Sequence, residues 1–160
     1  CYKKCFKAGC TTICTAHIAV PCLDPDPRHI ATTSHIILND FLRGELGFRG
    51  ITIADAVEMK GFQKNGPPEK VSIDAINAGC DSICMCSCES VEPIFIELHK
   101  AVESGTIPMF RLDEAVARNL QFMEWLNILN GDVFVSPERA LEILNDDKDN
   151  RLIIRLLAEK

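Results

Sequence analysis

The alternation of short apolar runs with amphipathic segments is the feature that most limits how this chain can fold. Apolar runs rich in Thr, Ile and Val occupy residues 11–20, 50–57 and 81–86. Runs of this length and composition predict strands that are buried on both faces. Between and after them, apolar residues recur at helical spacing. The predicted helices cover residues 34–46, 66–79, 89–104 and 112–129. Strands that alternate with helices predict a parallel sheet with crossover helices, and therefore an α/β fold.

Local signals support these boundaries. Ser34 is a good N-cap for the first helix, and Gly47 fits the position just past its end. The three prolines in the loop at 21–29 exclude a helix interior or a central strand there. A barrel and an open doubly wound sheet both fit the pattern, although no G-x-G-x-x-G follows any strand, which weakens a dinucleotide-binding interpretation.

Charge and hydropathy exclude several classes of partner. The 160-residue chain carries a net charge of −6, which argues against binding to nucleic acid or to an anionic membrane surface. No stretch of 18 apolar residues is present, so we expect no transmembrane helix. The first ten residues lack the apolar region of a signal peptide.

Cysteine usage favours a cytoplasmic location, or another reducing compartment. Nine cysteines are an odd number and cannot all pair internally. Cys84, Cys86 and Cys88 occupy alternate positions, so that one face of the third predicted strand would carry all three. Zinc binding and redox chemistry are alternatives, but the C-x-C-x-C spacing is not that of a zinc knuckle. We expect buried, reduced thiols, with no disulfide, no metal and no cofactor.

Two polar residues follow apolar runs and are the candidates for chemistry. Asp55 ends the second run, and His17 ends the first in the same way. In parallel α/β folds catalytic groups gather at the carboxyl ends of the strands. The alternatives are a turn-capping role for Asp55 and a packed, hydrogen-bonded role for His17. We predict that the two side chains face one pocket.

A glycosidase needs a second group beside its nucleophile, and the candidates here are ambiguous. Glu58, Glu45 and Asp24 are further carboxylates near predicted loops. The residue pattern does not select one of them as the partner of Asp55. The chain contains no nucleophile elbow, P-loop or H-E-x-x-H motif.

Four blocks of the chain resemble, in order, consecutive segments of glycoside hydrolase family 3. They are TAHIAVPCLDPDP, IATTSHIILNDFLRGELGFRGITIADAVEMKG, AINAGCDSICM and AVESGTIPMFRLDEAVARNL. The most specific is LRGELGFRG followed by ITIADAVEM. In that family a strand that ends in Ser-Asp or Thr-Asp carries the nucleophile, which implies that role for Asp55. The T-A-H turn is typical of the β-N-acetylhexosaminidase-like branch.

The resemblance implies about the last three β/α units of a (β/α)₈ TIM barrel. Residues 1–130 would form this partial catalytic domain, and residues 131–160 a helical tail toward a missing second domain. Asp55 would attack the sugar in a retaining mechanism, and His17 and Met59 would bind the carbohydrate substrate. The expected partner, besides the substrate, is the missing N-terminal part of the barrel.

Departures from the family pattern limit what the chain can do alone. Ala54 replaces the usual Ser or Thr, residues 30–34 read IATTS instead of PATLS, and the cysteines at 80–88 replace aliphatic residues. The family's upstream K-H-x-P-G segment and its Asp-x-His acid/base dyad are missing, so we expect the isolated chain to be inactive. A family 3 β-glucosidase and a degenerate, non-catalytic sugar-binding fragment stay as alternatives.

Overall fold

The computed structural model describes residues 1–129, 131 and 136–144. The chain divides into two compact units, Cys1–Phe122 and Met123–Lys160. The first unit contains a three-stranded parallel sheet in the order β1-β2-β3, with β1 at Thr12–Thr15, β2 at Ile51–Ala54 and β3 at Ser82–Ile83. The predicted α/β alternation with parallel strands is therefore confirmed.

Helical segments precede, connect and follow the three strands. Helix α1 spans Tyr2–Lys7, a 3₁₀ turn spans Ala31–Thr33, and a π-helix spans Ile36–Glu45. Then come α2 at Lys60–Gln63, α3 at Pro68–Ala78, α4 at Cys88–Glu103 and α5 at Met109–Trp125. No helix among these residues is long and apolar enough to cross a membrane.

The first crossover helix differs from the predicted α-helix. The N-cap is His35 and not the predicted Ser34, although the Ser34 hydroxyl accepts the Ile37 N–H at 3.1 Å. At its end Leu46 N–H donates to Phe41 O at 2.9 Å, a five-residue spacing that marks a π-helix. Gly47 follows with a φ of +74°, the left-handed conformation expected just past a helix end.

The main core lies between the sheet and these helices. Thr12 to Thr15 pair with Ile51 to Ala54, and Ile53 and Ala54 pair with Ser82 and Ile83. The largest fully buried side chains come from the crossover segments and the loops that flank them. They include Leu38, Phe48, Val57, Phe62, Val71 and Ile94.

The predicted tail falls mostly outside the described residues. Within it, α6 spans Pro137–Leu144 and belongs to the second unit. The segment NRLIIRLLAEK at 150–160, which we expect to be helical, lies outside the described residues.

Candidate active site

Asp55 follows directly after β2, at the carboxyl end of the central strand. Its side chain is partly buried, and Oδ1 accepts the N–H of the next residue, Ala56, at 2.8 Å. No other hydrogen bond to this carboxylate occurs within the described part of the chain. Among the described residues, Oδ2 therefore has no hydrogen-bond donor.

The backbone beside Asp55 contains an extra residue. Cys84 N–H donates to Ala54 O at 3.1 Å, which continues the ladder beyond β3. The next bond comes from Val57 N–H to Cys84 O at 3.2 Å, one residue later than a regular parallel ladder would place it. Such bulges often re-aim a side chain next to an active site. The bulge and the hydrogen bond to Ala56 together set the direction of the Asp55 carboxylate.

Thiols surround this carboxylate. Both thiols are exposed, and contact with neighbouring groups removes only part of their water. This partial desolvation, and after it the negative charges of Asp55 and Cys84, raise the pKa of Cys14. Partial desolvation, followed by the charge of Glu58 and smaller effects of Cys84 and Asp55, raises the pKa of Cys86. At neutral pH both thiols are therefore neutral neighbours of Asp55 and poor nucleophiles.

The prediction that the C-x-C-x-C thiols are buried in a strand is wrong. Strand β3 ends at Ile83, so Cys84 and Cys86 lie in the loop that follows, and Cys88 begins α4. All three are exposed, because the loop turns away from the core once the strand ends, and Cys80 is the buried thiol. Among the described residues no three His, Cys, Asp or Glu side chains are arranged to hold a metal ion.

His17 lies beyond β1 rather than at its last residue. Strand β1 ends at Thr15, and the ring of His17 turns into the interior, where it is 8% exposed. Its Nδ1 is 2.9 Å from Thr32 Oγ1, the same hydroxyl that Thr15 reaches at 2.9 Å. The ring centroid is 4.8 Å from that of Phe62. The buried Nε2 has no hydrogen-bond partner within the described chain.

His17 and Asp55 thus follow neighbouring parallel strands, but no hydrogen bond among the described residues joins them. A cavity of about 740 Å³ is lined by Pro67, Ile73 and Pro93, and a mostly apolar one of about 460 Å³ by Ile76 and its neighbours. Neither is lined by Asp55, His17 or Met59. The shared pocket stays a prediction.

The residues just after Asp55 have contrasting environments. Met59 is 46% exposed and immediately precedes α2. Glu58 is held by backbone N–H groups: Oε1 accepts from Cys86 at 3.2 Å and from Ser87 at 3.1 Å. The bond from Cys86, aided by the Ser90 hydroxyl, lowers the pKa of Glu58 to about 2. This carboxylate is ionised at neutral pH and cannot donate a proton there.

The other two candidate carboxylates serve other purposes. Asp24 is buried and accepts hydrogen bonds from Ser34 Oγ at 2.5 Å and His29 Nδ1 at 2.8 Å. The Ser34 bond above all lowers the pKa of Asp24, so it anchors the loop after β1 as an anion. Glu45 is the exposed last residue of the π-helix.

A buried charge cluster at the amino ends of the strands was not predicted. Asp81, which immediately precedes β3, is fully buried and contacts Arg43 at 2.6 Å, Arg111 at 3.0 Å and Arg118 at 2.8 Å. Thr52 donates to it through both its backbone N–H and its hydroxyl, at 3.0 and 3.1 Å. Lying at the amino ends, this cluster serves stability rather than catalysis. Its members are far apart in sequence. The one sign of the cluster in the sequence is a charged residue, Asp81, at the start of the third predicted strand.

Comparison with known proteins identifies the family. The family described as "Glycosyl hydrolase family 3 N terminal domain" matches residues 1–122. The β-hexosaminidase of Nitrosospira multiformis is 35% identical over 99 residues, which cover 61% of this chain and 28% of that protein. The β-N-acetylglucosaminidase/β-glucosidase of Cellulomonas fimi is 29% identical over 138 residues, covering 81% and 24%.

Solved structures give the same result. A glycoside hydrolase family 3 β-N-acetylglucosaminidase from Paenibacillus sp. str. FPU-7 superposes with a TM-score of 0.77 at 29% identity, over 85% of this chain and 26% of its own. The β-glucoside phosphorylase BglX superposes with a TM-score of 0.81 at 26% identity, over 94% and 28%. The chain thus spans about a quarter of the length of these relatives. The resemblance seen in the sequence is confirmed: this chain belongs to glycosyl hydrolase family 3.

Proposed function

We propose that this chain is the nucleophile-bearing part of a retaining glycosidase that acts on β-linked N-acetylhexosaminides. The observation that carries the proposal is Asp55, which follows the central strand with one carboxylate oxygen bonded to Ala56 and the other unbonded among the described residues. The three β/α units would be the last three of a TIM barrel. A cytoplasmic location is part of the proposal.

Relatives favour this sugar class. The Nitrosospira protein is named a β-hexosaminidase, and the Paenibacillus structure is a β-N-acetylglucosaminidase. The T-A-H turn at His17 is typical of the same branch. In our proposal His17 supports the rim of the sugar site by its packing against Phe62, and the exposed Met59 offers an apolar contact to the sugar.

The proposed reaction has two displacements. Asp55 Oδ2 attacks the anomeric carbon, the bond to the leaving-group oxygen breaks, and an acid protonates that oxygen. In the second step water attacks the same carbon, the bond to Asp55 breaks, and the former acid accepts the proton from water. Two inversions give net retention, with no cofactor or metal in either step.

The acid/base group is expected to come from outside this chain. Glu58 and Asp24, whose pKa values are both lowered, hold no proton to donate at neutral pH. We therefore propose that the upstream Asp-x-His dyad of the family supplies it, and that the chain alone is catalytically silent. The missing N-terminal part of the barrel is then its structural and catalytic partner.

A second candidate is activity on β-glucosides. The Cellulomonas relative is named for both activities, and the phosphorylase BglX is named for β-glucosides. Comparing aryl β-N-acetylglucosaminide with aryl β-glucoside, each with and without inorganic phosphate, separates the possibilities. A preference for the glucoside would overturn our assignment of the sugar.

The experiment needs a protein with a complete barrel. We define the fusion protein as the part of the Nitrosospira β-hexosaminidase that precedes the matched segment, joined to the full 160-residue chain. We expect it to hydrolyse an aryl β-N-acetylglucosaminide. Asp55→Ala should lower kcat on the order of 10⁴-fold, because only binding and electrostatic effects remain.

The matched control is Asp113→Ala, which removes an exposed carboxylate from α5. We expect its kcat to change by less than about twofold. Normal folding of both variants is checked by circular dichroism. Near-normal turnover by Asp55→Ala would show that Asp55 only caps the turn.

A further inference from the structure

The carboxylate of Glu58 bridges two loops at the carboxyl edge of the sheet. Oε1 accepts the backbone N–H groups of Cys86 and Ser87 at 3.2 and 3.1 Å, and Oε2 lies 3.2 Å from the nitrogen of Cys86. The loop after β2 is thereby fastened to the loop that leads from β3 into α4.

The receiving side of this contact is a helix start. Ser87 is the N-cap of α4, and its hydroxyl accepts the N–H of Glu89. The amino end of a 16-residue helix carries partial positive charge and free N–H groups, which favour an anion. An ionised Glu58 is therefore bound more firmly than a neutral side chain would be.

The same loop carries Asp55, three residues earlier. Between them, Val57 N–H donates to Cys84 O at 3.2 Å, and Gln63 Nε2 donates to Val57 O at 3.3 Å. The Asp55 carboxylate is oriented by the N–H of Ala56, which belongs to this loop. A shift of this loop would therefore move the N–H group that orients the carboxylate.

We infer that Glu58 is a positioning residue for Asp55: by fastening the loop after β2 to the start of α4, it holds the Asp55 carboxylate in its attacking direction. This inference rests on the proposed function, because it assigns Glu58 a role in the same reaction. Glu58 does not itself exchange a proton with the substrate. Its side chain is an acceptor that is already occupied by protein donors.

The kinetic test uses the fusion protein with Glu58→Ala, Glu58→Gln and the control Glu89→Gln. Glu89 is exposed in the first turn of α4, so its replacement removes the same charge from the same helix end without touching the loop. Misplacement by about 1 Å costs on the order of 100-fold in rate, so we expect such a loss of kcat in Glu58→Ala. Glu58→Gln keeps one acceptor oxygen and should lose on the order of 10-fold.

The split between kcat and KM distinguishes positioning from general damage. A group that orients the nucleophile lowers kcat and leaves KM within about threefold, whereas loss of folded protein lowers the amount of active enzyme only. Titration of active sites with a slow substrate corrects for the latter. Glu89→Gln should keep kcat within about twofold.

Hydrogen exchange tests the contact independently of activity. In Glu58→Ala, amides of residues 55–59 should exchange at least about 10-fold faster, while those of β1 stay unchanged. Unchanged kcat in Glu58→Ala would overturn the inference and leave the proposed function intact. An inactive unmutated fusion protein would instead refute the proposed function. With such an inactive fusion protein, hydrogen exchange still tests the contact of Glu58 with the start of α4. Unchanged exchange at 55–59 in Glu58→Ala would refute that contact, and faster exchange confined to those residues would support it.

Discussion

Two carboxylates three positions apart, Asp55 and Glu58, are used in opposite ways. Asp55 keeps one oxygen that meets no hydrogen-bond donor in the part of the chain that the structure describes, which suits attack on an electrophile. Both oxygens of Glu58 accept backbone N–H groups, which makes it a fixed anchor. The difference lies in the donors that each carboxylate meets: one N–H for Asp55, and the N–H groups of Cys86 and Ser87 for Glu58.

The bound state of Glu58 predicts a pH dependence of stability. Its pKa in the folded chain is about 2, below the ordinary value of 4.5. Because the pKa is lowered in the folded state, ionised Glu58 stabilises the fold fully at pH values above 4.5. This stabilisation is lost as the pH falls from 4.5 through about 2. Urea unfolding of the fusion protein and its Glu58→Gln variant should give a difference in free energy that is constant near neutral pH and shrinks in this window. A difference that does not change with pH would show that Glu58 is not specifically bound.

At the scale of single residues, the sequence indicated candidate positions more readily than the role of each side chain. Asp55 and His17 were recognisable because each polar residue follows an apolar run. The roles of Glu58 and Asp24 depend on hydrogen-bond donors from other segments. Glu58 accepts from the N–H groups of Cys86 and Ser87, and Asp24 accepts from the hydroxyl of Ser34. No local sequence pattern encodes such contacts between separate segments.

The elements are held in register by contacts that cross between them. Asp81, before β3, binds Arg43 of the π-helix and Arg111 of α5. Gly61 of α2 lies against the chain after β1, where an added Cβ would be 2.7 Å from the backbone oxygen of His17. The order of strands and helices was predictable from periodicity. Two details were not predictable from periodicity. The end of β1 at Thr15 depends on hydrogen bonds to Thr32, and the π-helix depends on the packing of the crossover helix.

Loss of Asp81 should be costly. Asp81→Ala leaves the buried guanidinium groups of Arg43 and Arg111 without their anion, so the free energy of unfolding should fall by about 3–5 kcal/mol. Chemical denaturation of the fusion protein measures this change. Asp113→Ala is the exposed control, with an expected change within about 0.5 kcal/mol. Equal, small effects of the two substitutions would contradict the assignment of Asp81 as a structural centre.

Close approach at Gly61 gives a second prediction for the elements. Gly61→Ala forces α2 away from His17 and should lower the free energy of unfolding by about 1–3 kcal/mol. The control is Gly44→Ala in the π-helix, where the new Cβ would meet Asn39 O at an ordinary 3.4 Å. Thermal unfolding should show a lower Tm for the first variant only. A Tm for Gly61→Ala equal to that of the unmutated protein would contradict this packing.

At the scale of the whole molecule, the sheet is open. Strands β1 and β3 each pair on one side only within the described chain. A closed barrel pairs every strand on both sides, and unpaired edges recruit other chains. The family and its α/β pattern could be read from the sequence, because the matching blocks keep their order.

We predict that the 160-residue chain made alone is catalytically silent and poorly soluble. In size-exclusion chromatography it should elute as species larger than a monomer, whereas the fusion protein should elute as a single peak, because we expect its barrel to be closed. An aryl-glycoside assay is run on the same fractions. A sharp monomer peak for the chain alone would contradict the edge argument, and turnover above a blank would contradict the need for an external acid/base.

The central claim is that Asp55 forms a covalent bond to the sugar, and the most direct measurement is to trap that bond. The fusion protein is treated with 5-fluoro-N-acetylglucosaminyl fluoride, whose fluoride leaves without protonation and whose ring fluorine slows hydrolysis of the intermediate. We predict that peptide mass mapping finds one fluorinated sugar on the peptide that contains Asp55, and none in the Asp55→Ala variant. A label on another residue, or an equal label in Asp55→Ala, would contradict the account.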